Sequence, residues 1–93
     1  MRIIGSIDHP VYKITIFKTD TRFAIKFENR DLEQTYKVRI SESIRSVAGL
    51  KKLVDKSFLI KVGAGFAEME RSLYHSLNEH FPKNDFDEFD VII

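Results

Sequence analysis

The stretch that decides the fold is VYKITIFKTDTRFAIKFENRDLEQTYKVRI, which occupies residues 11–40. Apolar and polar residues alternate through it in three runs. Because successive side chains of a strand point to opposite faces, each run predicts a β-strand with one apolar and one polar face. β-branched and aromatic residues fill most apolar positions, which suits a half-buried pleated surface. The three runs are 12–17, 22–28 and 32–40.

Short polar segments separate these runs. Thr19 and Asp20 lie between the first and second, and Asn29, Arg30 and Asp31 lie between the second and third. Asn and Asp tolerate left-handed backbone angles and can hydrogen-bond to their own backbone, so they favour tight reversals. The sequence therefore predicts an antiparallel β-meander whose polar face is open to water.

Beyond Ile40 the hydrophobic period changes to that of a helix. Residues 43–55 carry an apolar stripe at spacings of three and four, and residues 57–81 carry a longer stripe that keeps its phase. Pro82 disfavours helical geometry in the residue before it, so we predict that the second helix ends at Phe81. The stripes consist of Ile44, Val47, Leu50, Leu53 and Val54, and of Phe58, Val62, Phe66, Met69, Leu73, Leu77 and Phe81.

Two glycines, Gly63 and Gly65, leave a competing interpretation of the second helix. In that alternative, residues 58–62 form a strand and the helix begins only at Phe66. The same glycines also resemble part of a phosphate-binding loop, but Glu68 occupies the place of the third glycine in that fingerprint. We therefore favour a structural role, in which small residues let this helix approach its neighbour or the sheet closely.

The predicted fold class is α+β: an antiparallel β-meander of three to four strands followed by two helices packed on one sheet face. Residues 2–7 supply a short first strand, and residues 1–82 form a single domain. Residues 83–93 form an acidic, aromatic C-terminal tail or an edge strand. The predicted core consists of Tyr12, Ile14, Ile16, Phe23, Ile25, Phe27, Leu32, Tyr36, Val38, Ile44, Val47, Leu50, Leu53, Phe58, Val62, Phe66, Met69, Leu73 and Leu77.

Composition limits the function classes. The 93 residues include 15 Lys and Arg and 14 Asp and Glu, so the net charge of +1 indicates no particular polyanionic partner. The chain has no Cys, which excludes disulfides and thiolate chemistry and fits a reducing cytoplasm. No apolar run approaches the roughly 20 residues that span a bilayer, and no signal-peptide pattern is present. We expect a soluble cytoplasmic protein without a membrane partner.

No motif predicts catalysis, a cofactor or a metal. His75 and Glu79 share a helix face at a spacing of four, but a zinc site needs at least three protein ligands. His9 precedes Pro10 and is interpreted as a turn histidine. The serines lack a Gly-x-Ser-x-Gly elbow, and the acids of the tail lack the spacing of a calcium loop. The sequence therefore predicts that the protein is not an enzyme.

The open face of the meander carries an excess of positive charge. Five basic side chains and two acidic ones, Glu28 and Glu33, give this face a charge of +3. A basic sheet face can meet a phosphate backbone, so nucleic-acid binding is one hypothesis, and an ordinary solvated face is the alternative. The candidate residues are Lys13, Arg22, Lys26, Lys37 and Arg39.

The tail offers a second candidate surface. Its acids alternate with apolar residues, a composition found in segments that order on binding a partner. Its last residues could instead add a strand to another copy and form a homodimer. The preferred function is therefore a small non-catalytic protein-interaction module that binds a protein partner or itself. The candidate partner-binding residues are Phe86, Phe89, Val91 and Ile93.

Overall fold

The computed structural model describes residues 1–81 and has the α+β architecture predicted from the sequence. Four antiparallel strands form one sheet in the order β1-β2-β3-β4, and two helices follow it. The predicted edge strand and tail at residues 83–93 lie outside the described residues. In chain order the elements are β1 (Arg2–Ile7), β2 (Lys13–Lys18), β3 (Arg22–Asn29), β4 (Leu32–Arg39), α1 (Val47–Lys51) and α2 (Lys56–His80).

The register of the meander places the predicted apolar positions on one face. Ile16, Ile25 and Tyr36 lie directly opposite one another across β2, β3 and β4. All pairings between these three strands are continuous, so alternation along each strand determines the face of every side chain. The apolar face contacts the helices, and the opposite face, here called the open face, carries the predicted basic residues.

β1 departs from simple alternation at a β-bulge. Ile3 lies opposite Phe17 and Gly5 lies opposite Ile16, so the register shifts by one residue between them. The extra residue, Ile4, packs against the core, whereas Ile3 shares the open face with Phe17 and is exposed. A bulge adds one unpaired residue to a strand, which explains how neighbouring isoleucines face different environments.

The core lies between the sheet and the two helices. Tyr12, Tyr36 and Phe58 are among the partly buried residues that surround it. Leu53 and Leu73 were predicted to lie in the core, but each is 39% exposed. Thr15 and Ala24 are buried although they lie on the open face, because both belong to the two central strands. The buried cluster consists of Ile14, Ile16, Phe23, Ile25, Phe27, Leu50, Val62 and Phe66.

The first helix is shorter than the predicted 43–55. Ser46 caps α1, since its Oγ accepts a hydrogen bond from the backbone N–H of Gly49 at 3.2 Å. Asp55 caps α2 in the same way, with its Oδ1 accepting from the N–H of Phe58 at 2.8 Å. The two caps lie nine positions apart, so α1 has one full turn. Within it, only Leu50 is fully buried.

α2 is continuous, which excludes the strand-and-loop alternative for residues 58–65. The Gln34 side chain approaches the helix, and its Nε2 donates a hydrogen bond to the carbonyl oxygen of Val62 at 2.9 Å. A Cβ atom on Gly65 would lie 3.1 Å from that Nε2, and one on Gly63 would lie 3.1 Å from Tyr12 Oη. Both glycines therefore permit the close approach expected from the sequence.

Replacing Gly65 by valine tests this close approach. We expect the free energy of unfolding to fall by about 1–3 kcal/mol, because overpacking displaces the Gln34 amide from Val62. Urea denaturation followed by circular dichroism measures the change. Ala64→Val is the matched control, because Ala64 is exposed on the same helix. Equal losses in the two variants would contradict the role assigned to Gly65.

α2 crosses the sheet and extends beyond it. Its 25 residues make a helix of about 37 Å, whereas an eight-residue strand spans about 27 Å. The ring of Phe58 lies against Tyr36, and the ring of Phe66 lies against Tyr12 at a centroid distance of 5.3 Å. Further along the helix, Leu73 lines a groove with Leu32 at the start of β4. The helix thus runs towards the β3–β4 turn, and within residues 1–81 the helix residues after Met69 do not pack against the core cluster.

Candidate interaction surfaces

The five predicted basic residues share the open face, but they do not form one cluster. Lys26 lies near the middle of the face and is partly buried. Its Nζ is 3.9 Å from Glu28 Oε1, 3.9 Å from Glu33 Oε1 and 5.4 Å from the centroid of the Phe17 ring. The charge of Lys26 is therefore balanced by its own sheet, with an additional cation–π contact.

The half of the open face near the β3–β4 turn contains an acidic pair. Glu28 and Glu33 lie directly opposite each other on β3 and β4, and Lys13 lies opposite Glu28 on β2. Like charges directly opposite each other destabilise a sheet, and Lys26 relieves this repulsion by contacting both carboxylates. Two acids and two bases share this half, so it carries no net charge.

The other half of the open face carries only positive charge. Arg22 lies directly opposite Arg39, and Lys37 lies two residues from Arg39 on the same strand, opposite Ala24. All three basic side chains are exposed, and none forms an ion pair within residues 1–81. We call this group, Arg22, Lys37 and Arg39, the basic corner.

Two further basic residues lie at the same end of the sheet, and the sequence analysis did not identify them. Arg2 on β1 lies directly opposite Lys18 on β2. Both line a shallow hollow with Asp20 of the β2–β3 turn. Alternation assigns Arg2 and Lys18 to the face opposite the basic corner. Lys18 is the last residue of β2, and the register of β1, which includes the bulge, brings Arg2 opposite it, so no local sequence pattern could have revealed the pair.

An apolar strip on α2 forms the second surface. The strip consists of Met69, Leu73 and Leu77, spaced at four residues along one side of the helix, and of Phe81 directly after the helix ends. Of these four, only Met69 packs against the core cluster. Leu73 is 39% exposed and Phe81 is 54% exposed, and Leu32 of β4 flanks the strip. A continuous apolar surface of this kind is typical of a binding site.

Within the described part of the chain, the histidines do not belong to a cluster of potential metal ligands. His9 Nδ1 accepts hydrogen bonds from the N–H groups of Val11 and Tyr12 at 3.1 and 3.2 Å, and its ring stacks on Tyr12. His9 therefore shapes the β1–β2 turn. His75 Nε2 lies 3.8 Å from Glu79 Oε1 on an exposed helix face. No group of three or more potential metal ligands occurs in residues 1–81.

The candidate tail residues Phe86, Phe89, Val91 and Ile93 lie outside the described residues. Within residues 1–81, neither helix is long and apolar enough to cross a bilayer. No protein-family model matches the chain, and no curated protein or solved structure matches it either. The two described candidate surfaces, the basic corner and the apolar strip, are therefore argued from the geometry of this chain alone.

Proposed function

We propose that the protein is a small non-catalytic protein-interaction module that binds its partner through the apolar strip of α2. The observation that carries this proposal is the length of α2 relative to the sheet. The apolar spacing of α2 continues beyond Met69 through Leu73 and Leu77, but within residues 1–81 neither leucine belongs to the core packing, and Leu73 is 39% exposed.

The physical reason is the free energy of hydrating apolar surface. Removing apolar surface from water contributes about 25 cal/mol per Å², and Leu73 in the middle of the strip is 39% exposed. An amphipathic helix that docks in a partner's groove uses apolar anchors at intervals of three or four residues. Leu73, Leu77 and Phe81 have this spacing, and polar residues such as Ser72 and Ser76 border it. The partner that fits is a protein with an elongated apolar groove.

A charge introduced into the strip tests the proposal. In Leu73→Glu we expect at least a tenfold loss of partner affinity, because a carboxylate would be buried in an apolar contact. Tagged protein is used to capture partners from a native cell extract, and light scattering measures self-association. Affinity for each captured protein is then measured with purified components.

The matched control is Ile60→Glu. Ile60 lies on the same helix, is 66% exposed and is not part of the strip. Circular dichroism and urea denaturation check that both variants are folded. A partner retained by the wild type and Ile60→Glu but lost by Leu73→Glu supports the proposal. A wild-type protein that binds nothing, or equal binding by all three proteins, would count against it.

A further inference from the structure

The open face contains two cross-strand pairs of like charge, and they differ in how their repulsion is balanced. Glu28 and Glu33 are bridged by Lys26, whose Nζ is 3.9 Å from an oxygen of each carboxylate. Arg22 and Arg39 face each other in the same manner, but no acidic side chain within residues 1–81 pairs with either of them. The sheet thus supplies a counter-ion to one pair and not to the other.

An anion held between Arg22 and Arg39 would reduce the repulsion between these two cations, just as Lys26 reduces the repulsion between Glu28 and Glu33. Each guanidinium presents a planar set of N–H donors that matches the geometry of a phosphate group. Both side chains project from the open face, where neither helix of the described chain covers them. Lys37 adds a third charge about 7 Å along β4 from Arg39, at two residues of strand rise.

The three residues of the basic corner lie on one face at the end of the sheet, whereas alternation assigns Arg2 and Lys18 to the opposite face. Three positive charges spread over about 7 Å exceed what a single phosphate group needs and suit a linear array of negative charges, as in a nucleic-acid backbone. Phe17 lies on the open face in the same row as Lys37, separated from it by Ala24. Its ring is partly buried and already in cation–π contact with Lys26, so the proposal does not depend on base stacking.

We propose that the basic corner binds the phosphate backbone of a nucleic acid. Arg22 and Arg39 hold one phosphate between them, Lys37 contacts an adjacent phosphate, and sequence-specific contacts to base edges are not involved. This proposal uses three of the five residues expected from the sequence, because Lys13 and Lys26 belong to the half of the open face in which Glu28 and Glu33 balance the charge. It is independent of the apolar strip and of the function proposed for it.

Fluorescence anisotropy with labelled single-stranded RNA and short duplex DNA tests the proposal. For three phosphate contacts, the logarithm of the affinity should fall with that of salt concentration with a slope of about −2 to −3. Raising the salt from 50 to 200 mM should therefore weaken binding by about 16- to 64-fold. The stronger of the two ligands identifies whether the strand or the duplex is preferred.

Arg39→Gln should weaken binding by about five- to eightfold near 100 mM salt and reduce the magnitude of the slope by nearly 1. Lys37→Gln should show the same kind of change. The matched control is Lys13→Gln, which removes one charge from the exposed open face at the other end of the sheet. We expect the control to change affinity by less than twofold, and Leu73→Glu to leave nucleic-acid binding intact.

Three results would overturn the assignment. The wild type would show no binding to either nucleic acid at 50 mM salt, or Lys13→Gln and Arg39→Gln would lose affinity equally. The third result is that vesicles with one-third phosphatidylserine bind the wild type while neither nucleic acid does. This result would identify a membrane surface as the source of phosphate. Far-ultraviolet circular dichroism confirms that each variant is folded before its affinity is compared.

Discussion

Replacing Phe66 by alanine is expected to lower the free energy of unfolding by about 3–5 kcal/mol. Phe66 is 4% exposed and lies in the part of α2 that crosses the sheet, with its ring centroid 5.3 Å from that of Tyr12. The substitution removes apolar surface from the core and leaves a cavity that the rigid sheet can only partly fill. Urea denaturation monitored by circular dichroism measures the loss.

The control for this prediction is Ile60→Ala in the same helix. Ile60 is 66% exposed, so its truncation should change the free energy of unfolding by no more than about 0.5 kcal/mol. Both substitutions replace an apolar residue by alanine in a helix interior, so helix propensity changes only slightly and with the same sign. A similar small loss in Phe66→Ala would show that α2 does not pack on the sheet through this residue.

The meander could be predicted because the alternation of apolar and polar residues within each strand is visible in a short stretch of sequence. Alternation with a period of two determines the face of each side chain once a strand forms, and Ile14, Ile25 and Tyr36 therefore lie on the predicted face. The bulge in β1 could not be predicted in the same way. Ile3 and Ile4 are chemically identical, and only the pairing with β2 decides which one faces the core.

The exposed part of α2 could not be predicted, because an apolar stripe indicates which side of a helix is apolar but does not indicate whether a sheet packs against that side. Leu73 continues the phase of Val62 and Phe66, so the sequence assigns all three to the core. Leu73 reaches only the end of the sheet, at Leu32, and its exposure of 39% reflects the length of the strands rather than the pattern of the helix. Leu73 is therefore both a core residue in the sequence prediction and a binding residue in the proposed function. Only the tertiary structure distinguishes these two roles.

The charges of the open face also depend partly on local and partly on non-local information. Alternation along one strand gives the face of a side chain, whereas the register between strands gives its neighbours. The sequence correctly placed Lys26 and Arg39 on one face, because alternation requires it. It could not show that Lys26 contacts Glu33, which lies on the neighbouring strand, or that Arg22 faces Arg39 across the ladder. Cross-strand register decides which charges are balanced, so the basic corner became visible only with the paired strands.

Replacing Ile25 by alanine is expected to lower the free energy of unfolding by about 2–5 kcal/mol, and replacing it by valine by about 0.5–1.5 kcal/mol. Ile25 has no exposed surface and lies on β3 between Ile16 and Tyr36. The graded loss follows from the number of methyl and methylene groups removed from the core. Urea denaturation measures all variants under one set of conditions.

Thr35→Ala serves as the control, because Thr35 is exposed on the opposite face of the neighbouring strand. Its truncation should lower the free energy of unfolding by no more than about 0.5 kcal/mol, and this value includes the small difference in β propensity between threonine and alanine. If β3 were displaced by one residue, Ala24 and Lys26 would face the helices and Ile25 would face water. In that arrangement Ile25→Ala would cost as little as Thr35→Ala, and the basic corner would lose its geometric basis as well. The comparison of these two variants therefore tests the register on which both the core and the proposed phosphate site depend.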